Sequence, residues 1–154
     1  MSLTKVSYSM ISGSPINVVD YGAVGNGTDD DTAAFVSAAA LGGEIQIPAG
    51  TFIIDGGTVT CIANTRWVGE GIGKTILKLK AATVAAGTNK HMFAIDGLQP
   101  ANVSFENIEF DLNKTNIVGT TVASAIWLRR SNYVKASFCR FYNGVENEIG
   151  RAHV

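Results

Sequence analysis

Ile16-Asn-Val-Val-Asp-Tyr-Gly-Ala-Val-Gly-Asn-Gly-Thr-Asp-Asp-Asp-Thr-Ala-Ala-Phe35 is the stretch on which the fold turns. Ile16 to Val19 is apolar and β-branched, a short strand that ends at Asp20. Gly22, Gly25 and Gly27 supply the positive φ angles that a tight looping turn needs. Asp29 or Asp30 can cap the next element through its carboxylate, and Asp31 adds negative charge at the positive end of a helix dipole. Thr32 to Ala40 then has helical spacing, with Phe35, Ala38 and Ala39 on one small apolar face. Such a face suits a lid across the open end of a β-stack, where strand edges would otherwise lie bare. Gly42-Gly43 stops the helix.

Beyond Gly43 the period changes from helix to strand. Ile45 and Ile47 alternate with Glu44 and Gln46, Pro48-Ala-Gly50 turns the chain, and Thr51–Ile54 and Thr58–Ile62 are further short strands. From Arg66 to Lys80 a strand, a glycine turn and a second strand follow, with Leu77 and Leu79 set against Lys78 and Lys80. Residues 81–89 are small and read as a loop. The last third repeats itself. Phe93-Ala-Ile-Asp96 matches Ile126-Trp-Leu-Arg129, and Val103, Phe105, Ile108 and Phe110 match Val134, Ala136, Cys139 and Phe141. A loop at Lys114–Thr121 accounts for the longer spacing. Recurrence at roughly 30 residues indicates a solenoid whose rungs bury their faces only against one another. A β-sandwich is the alternative built from short strands, but it predicts paired hairpin turns, and Asn143-Gly144 is the one Asn-Gly pair outside the opening turn. The expected fold is therefore all-β, a right-handed parallel β-helix with an N-terminal capping helix. In this register Asp96 and Arg129 project outward on adjacent rungs and can pair.

Composition agrees and excludes much else. The chain has 154 residues, 46% hydrophobic and only 16% charged, with 17 glycines. That fits one domain with a real core and many turns, and excludes a disordered or charged tail. A net charge of −1 and a pI near 6.1, without a basic stripe, give no footprint for nucleic acid or anionic membrane. No apolar run is long enough to span a bilayer, and the first residues lack the apolar core of an export signal. Cys61 and Cys139 fit no metal-ligand spacing and read as reduced thiols. Residues 1–15 form a polar N-terminal arm. Glu148-Ile-Gly-Arg-Ala-His-Val154 matches one reading frame of a sequencing-library adapter, so residues 148–154 are expected to be a processing scar, with 16–147 the N-terminal part of a longer β-helix domain.

Three motifs resemble a known family. Asp20-Tyr-Gly-Ala23, Gly25-Asn-Gly-Thr-Asp-Asp-Asp-Thr-Ala-Ala-Phe35 and Gly43-Glu-Ile-Gln-Ile-Pro-Ala-Gly-Thr-Phe52 are similar to the pattern of the pectate-lyase-like, rhamnogalacturonase/epimerase-like β-helix family, which also occurs in phage tailspikes. Gly69–Thr75 and Asn102–Phe110 continue the resemblance into later turns, so it covers about Ile16 to Tyr142. Asn26 and Asp29 depart from the usual Asp and Thr, yet both still accept hydrogen bonds in a turn. The N-terminal arm is similar to what precedes this domain in phage tail proteins. The resemblance implies a tailspike or depolymerase that binds and cleaves bacterial surface polysaccharide as a homotrimer, placed in a virion tail or, during assembly, in the bacterial cytoplasm. A non-catalytic tail fibre is the alternative, and a secreted pectin-type lyase or hydrolase a weaker one.

Chemistry-bearing residues are few. Gly71-Ile-Gly-Lys-Thr75 fails as a phosphate loop, since Val68 stands where the first glycine belongs and a strand follows instead of a helix. Asp29–Asp31 lacks the alternation and closing glutamate of a calcium loop. No metal and no cofactor is expected. The paired-carboxylate motifs of glycoside hydrolysis are missing, and Asp96, Glu106, Glu109 and Asp111 read as solvated acids. Catalytic residues are accordingly expected beyond residue 147. Arg129 and Arg130 are the clustered cations a lyase could use, His91 reads as an isolated surface residue, and Trp127 faces outward, able to pack laterally or to stack on a sugar. Trp127 and Arg129 are the candidate carbohydrate contacts; Asp20, Gly22, Gly25, Gly27, Asp30, Asp31 and Thr32 are candidate turn and cap residues. An unpaired edge is expected near Phe138–Phe141.

Overall fold

The computed structural model describes residues 15–56 and 59–144. Residues 1–14 of the N-terminal arm and the tail 148–154 lie outside them. The chain is a parallel β-helix with three sheets, all of whose ladders are parallel. The first sheet stacks β1 (Ile16–Asn17), β3 (Gly43–Gln46), β6 (Thr65–Val68), β9 (Val103–Glu106) and β12 (Val134–Ser137). The second stacks β2 (Asn26–Asp30), β4 (Gly50–Ile54), β7 (Thr75–Leu79), β10 (Glu109–Asp111) and β13 (Arg140–Tyr142). The third holds β5 (Val59–Thr60), β8 (Ala82–Asp96) and β11 (Ile117–Arg129). Parallel pairing throughout excludes the sandwich, whose sheets are antiparallel.

The internal repeat is real at the level of single residues. Phe93 pairs with Ile126 and Asp96 with Arg129, Val103 with Val134, and Phe110 with Phe141. Inward side chains therefore form columns along the helix axis, because a strand turns alternate residues to opposite faces. One column is aromatic. Phe35 stacks on Trp67 at 5.8 Å, Trp67 lies 5.0 Å from Phe93, Phe93 lies 5.0 Å from Phe105, and Phe110 stacks on Phe141 at 4.8 Å. The buried Trp67 indole N–H has no hydrogen-bond partner of good geometry and lies beside the Cys61 thiol.

Helix α1 (Thr32–Ala39) closes the N-terminal end as expected, burying Ala34, Phe35, Ala38 and Ala39. Ala40 is the helical C-cap, and Gly42 and Gly43 follow at positive φ. Three local expectations need correction. Only Ile16–Asn17 is strand, because Val18–Tyr21 winds into a 3-10 turn whose N–H at Val19 is capped by the Asn17 side chain. Residues 82–89, read as a loop, begin the long strand β8, which gains its ladder from β11. The stretch 114–121 is a 3-10 turn at Lys114–Asn116 followed by strand from Ile117. Small and polar residues at the last two places hid strands that inter-rung pairing supplies.

At the far end Phe138 is 81% exposed and Ala136, in register with the fully buried Phe105, is exposed too. Among the described residues no strand covers the outer edges of β12 and β13.

Candidate functional site

The opening turn is a clasp rather than a row of caps. Asp31 occupies the helix N-cap position, but its side chain makes no capping bond to α1. Its buried carboxylate turns the other way: Oδ1 accepts from the Val24 and Gly25 N–H groups at 2.6 and 3.3 Å, and Oδ2 accepts from Ile53 N–H at 3.1 Å. Successive N–H groups of a glycine turn form an anion-binding concavity, and here the anion is the chain's own. Asp30, with Oδ1 accepting from Thr32 N–H at 3.0 Å, comes nearest to a capping acid, and it also pairs with Lys80 at 2.6 Å. Thr32 Oγ1 accepts from Asp55 N–H, tying the helix start to β4's end. Asp20 is exposed in the 3-10 turn, closed by Gly22 at φ 99°. Gly25 presses on the Phe52 ring, while Gly27 has a positive φ of 78°. Asn26 holds the turn through Thr28 and Asp29, and Asp29 through Asn26.

The second sheet carries two carboxylates two residues apart on one outward row, Glu109 and Asp111. Both are buried, against the expectation of solvated acids. Each is fully occupied. Glu109 accepts from Arg140 at 2.6 Å and from Gly73 N–H at 2.8 Å; Asp111 accepts from Asn113 N–H at 2.9 Å and Asn143 at 2.8 Å. Burial pushes the Glu109 carboxyl up, but Arg140 and the Gly73 N–H outweigh it and hold it below the ordinary glutamate range. A general acid needs the opposite direction. Nearby Tyr142 is pushed up to about 12 by burial and by the Asp111 charge, so it stays a neutral phenol. This pair joins rungs.

The outer face of the third sheet is different. Trp127 and Arg129 share one outward row on β11, and Asp96 faces Arg129 from β8. Arg129 donates to both Asp96 oxygens, at 3.1 and 2.6 Å, and Arg130 reaches one of them at 3.4 Å. The hydrogen bond from Arg129 lowers the Asp96 carboxyl, whose charge is thereby fixed across the neutral range. The expected rung-to-rung pair is present. Arg129 also lies 5.3 Å from the Trp127 ring centroid, within cation–π range. His91 is not isolated: its ring stacks on Trp127 at 5.2 Å, and burial followed by the Lys90 charge holds its pKa below the ordinary histidine value. Register across distant segments makes that contact, so no local sequence signal announces it. Trp127 keeps 37% of its surface exposed. An indole with charged and hydrogen-bonding neighbours on a rigid strand can take the apolar face of a sugar and hold its polar rim.

Among the described residues, no cluster of His, Cys, Asp or Glu could hold a metal ion, and no helix is long and apolar enough to cross a membrane. Cys61 is buried and Cys139 half-buried, both as free thiols.

The described rungs form a three-sheet parallel solenoid, the fold shared by solved β-helix proteins such as the A-module of a mannuronan C-5 epimerase and an iota-carrageenase. The chain belongs to the rhamnogalacturonase A/epimerase, pectate lyase-like family, which matches residues 15–139. It is 33% identical over 112 residues to the mannuronan C5-epimerase AlgE1 of Azotobacter vinelandii, covering 66% of this chain and 8% of that relative. The chain thus spans less than a tenth of that relative's length. In fold it is similar to PfbA, a surface adhesin of Streptococcus pneumoniae, with a TM-score of 0.70, 22% identity, and coverage of 83% of this chain and 33% of that one. It is also similar to ORF18 of Geobacillus virus E2, with a TM-score of 0.53, 22% identity, and coverage of 69% and 22%.

Proposed function

We propose that this chain is the N-terminal capping portion of a phage or prophage tailspike that binds bacterial surface polysaccharide, with the cleaving residues on later rungs. The observation that carries it is the outer face of the third sheet, where Trp127 and Arg129 stand exposed beside Asp96 while the paired carboxylates of the second sheet are consumed by structural bonds. Family membership supports a polysaccharide ligand, the viral fold neighbour supports a phage setting, and the sequence of the N-terminal arm supports a tail, where the assembly proposed is a homotrimer. The test is a panel of bacterial capsular and lipopolysaccharide glycans presented to the full chain, with binding and release of reducing or unsaturated ends both measured. Binding without turnover is expected. Turnover by this chain would place catalysis within its 154 residues, and absence of binding to every glycan would remove the third sheet as a sugar face. Sedimentation of the same sample tests the trimer.

A second reading has two observations in its favour. Glu109 and Asp111, the outward acids nearest to a hydrolytic pair, are fully engaged, and the adhesin fold neighbour is consistent with recognition alone. On that reading the protein is a non-catalytic fibre or adhesion component, and paired open carboxylates on adjacent rungs of the full reading frame would decide against it.

A further inference from the structure

The opening turn sets an asparagine directly before a glycine, Asn26-Gly27, and surrounds its side-chain amide with partners. The Asn26 Oδ1 accepts from the Thr28 N–H, the Thr28 hydroxyl and the Asp29 N–H, each at 2.9 Å. An amide oxygen offers two lone pairs, so three converging donors suit an oxygen that carries negative charge. The Asn26 Nδ2 donates to the Asp29 carboxylate at 2.8 Å. Among the described residues Asn26 is exposed, so water reaches the turn.

Asparagine is a thermolabile residue, and most of all before glycine. The nitrogen of the next residue attacks the side-chain Cγ, and glycine has no Cβ to obstruct that approach. At Gly27, which holds φ at 78°, the Thr51 side chain comes no nearer than 3.5 Å to the place of a Cβ. The attack puts negative charge on Oδ1, where the three donors already point. Donors aimed at a developing oxyanion lower the barrier of acyl transfer.

We propose that Asn26 is a self-modification site, at which the folded turn promotes deamidation and the product loosens the clasp beside it. The Gly27 nitrogen bonds to Asn26 Cγ and loses its proton. Nδ2 gains a proton and leaves as ammonia, with Asp29, 2.8 Å from Nδ2, as the carrier. Water then opens the cyclic imide, with no redox change. Opening at Cγ leaves aspartate, and opening at the backbone carbonyl leaves isoaspartate, with an added carbon in the main chain. In aspartate the oxygen that replaces Nδ2 faces the Asp29 carboxylate, so a hydrogen bond becomes a repulsion. Isoaspartate lengthens β2 between its two ladder positions, Asn26 opposite Thr51 and Asp30 opposite Ile53. That shifts Asp31 against the Val24, Gly25 and Ile53 N–H groups that it holds. The lid end of the solenoid thus ages irreversibly. This chemistry needs no ligand and stands whatever the third sheet binds.

The experiment ages the full 154-residue chain at neutral pH, folded and in urea, and follows Asn26 by peptide mass mapping, ammonia release and isoaspartate methyltransferase labelling. The folded chain is expected to react at Asn26 faster than the unfolded one. Thr28→Val removes the hydroxyl donor and keeps the N–H. It is expected to slow the folded reaction about two- to tenfold, the span of one neutral hydrogen bond, without altering the rate in urea. Asn26→Asp reproduces the charged product and is expected to melt below the parent chain at neutral pH. Adding Asp29→Thr, whose hydroxyl can donate to the new carboxylate, is expected to restore the melting temperature. A folded rate at or below that in urea, or a Thr28→Val chain that reacts at the parent rate, overturns promotion by the turn. An Asn26→Asp chain that melts with the parent overturns the loosening of the clasp.

Discussion

Replacing Asp31 by alanine is expected to damage this fold more than any other change to the acid run. The carboxylate is 2% exposed and receives three backbone N–H groups, from Val24, Gly25 and Ile53. Each donor left unpaired in a buried setting costs about 1–3 kcal/mol, and water can reach part of the Val24–Gly25 turn. The sum is about 3–5 kcal/mol, which for a chain of this size lowers the melting temperature by roughly 6–20 °C. Asp31→Asn keeps an oxygen for the turn but sets an amide N–H against that of Ile53, and should cost about 1.5–3 kcal/mol. Asp29→Ala is the control. Its carboxylate is exposed and receives the Asn26 amide, so the change should stay within about 0.5 kcal/mol. Equilibrium urea unfolding, followed by tryptophan fluorescence and far-ultraviolet circular dichroism, gives all three values. An Asp31→Ala cost below about 1 kcal/mol, or one no larger than that of Asp29→Ala, would refute the clasp and return the acids to simple helix capping.

Phe93→Ala removes the ring that touches Trp67, Phe105 and Phe110 and should cost about 3–5 kcal/mol in the same assay; a cost under about 2 kcal/mol would mean the column carries little of the core. Gly25→Ala places a methyl 2.7 Å from Phe52 ring carbons at a φ of 67°, so destabilisation of about 1–3 kcal/mol is expected and a neutral result would contradict the packing. Glu109 has a folded pKa below the ordinary 4.5, so its contribution is present above that pH and is lost as pH falls through the folded value. Glu109→Gln should therefore flatten the decline of melting temperature below about pH 4.5, and an unchanged acid limb would argue against the Arg140 pairing. Burial pushes the Cys61 thiol up to about 12, whereas Cys139 is only half-buried, so a thiol reagent should label Cys139 first and Cys61 only on unfolding. Equal labelling rates in the native state would place Cys61 outside the core.

How much of this was legible in the sequence follows from which way a side chain points. Inward residues answer to packing, and packing repeats with the rung. Ile45, Phe93, Phe105 and Phe110 could be assigned because each occupies the apolar half of an alternation, and their register partners fall where the repeat places them. The helix lid was legible for the same reason, from Phe35, Ala38 and Ala39 on one face. Residues 82–89 were not, since small side chains carry no alternation and the strand exists only because β11 lies alongside. Asp31 was assigned to the right turn and the wrong partner. Three aspartates in a row are equivalent as helix caps, and only the approach of β4 selects the one that reaches Ile53.

Outward residues answer to whatever they meet, and one rung's surface need not resemble the next. That is why the candidate sugar face was legible only as two names, Trp127 and Arg129, without His91 beneath the indole. The solenoid nevertheless offers a second kind of evidence once register is known, because each position has an equivalent on the rung before. At the corners, Asn102 and Asn107 hold positive φ on one rung, and Tyr133 and Phe138 hold it on the next. Asparagine tolerates that conformation and its side chain can join the stack, as Asn102 does by donating to Asn64. Tyrosine and phenylalanine do neither, and both are largely exposed. Together with Gly97 and Arg130, every such exchange runs from the easier residue to the strained one in passing to the last rungs. Strain of about 1–3 kcal/mol at each place opposes the local backbone conformation. The repeat is thus kept in its inward columns and broken at its corners, and the breaks gather toward the C-terminal rungs.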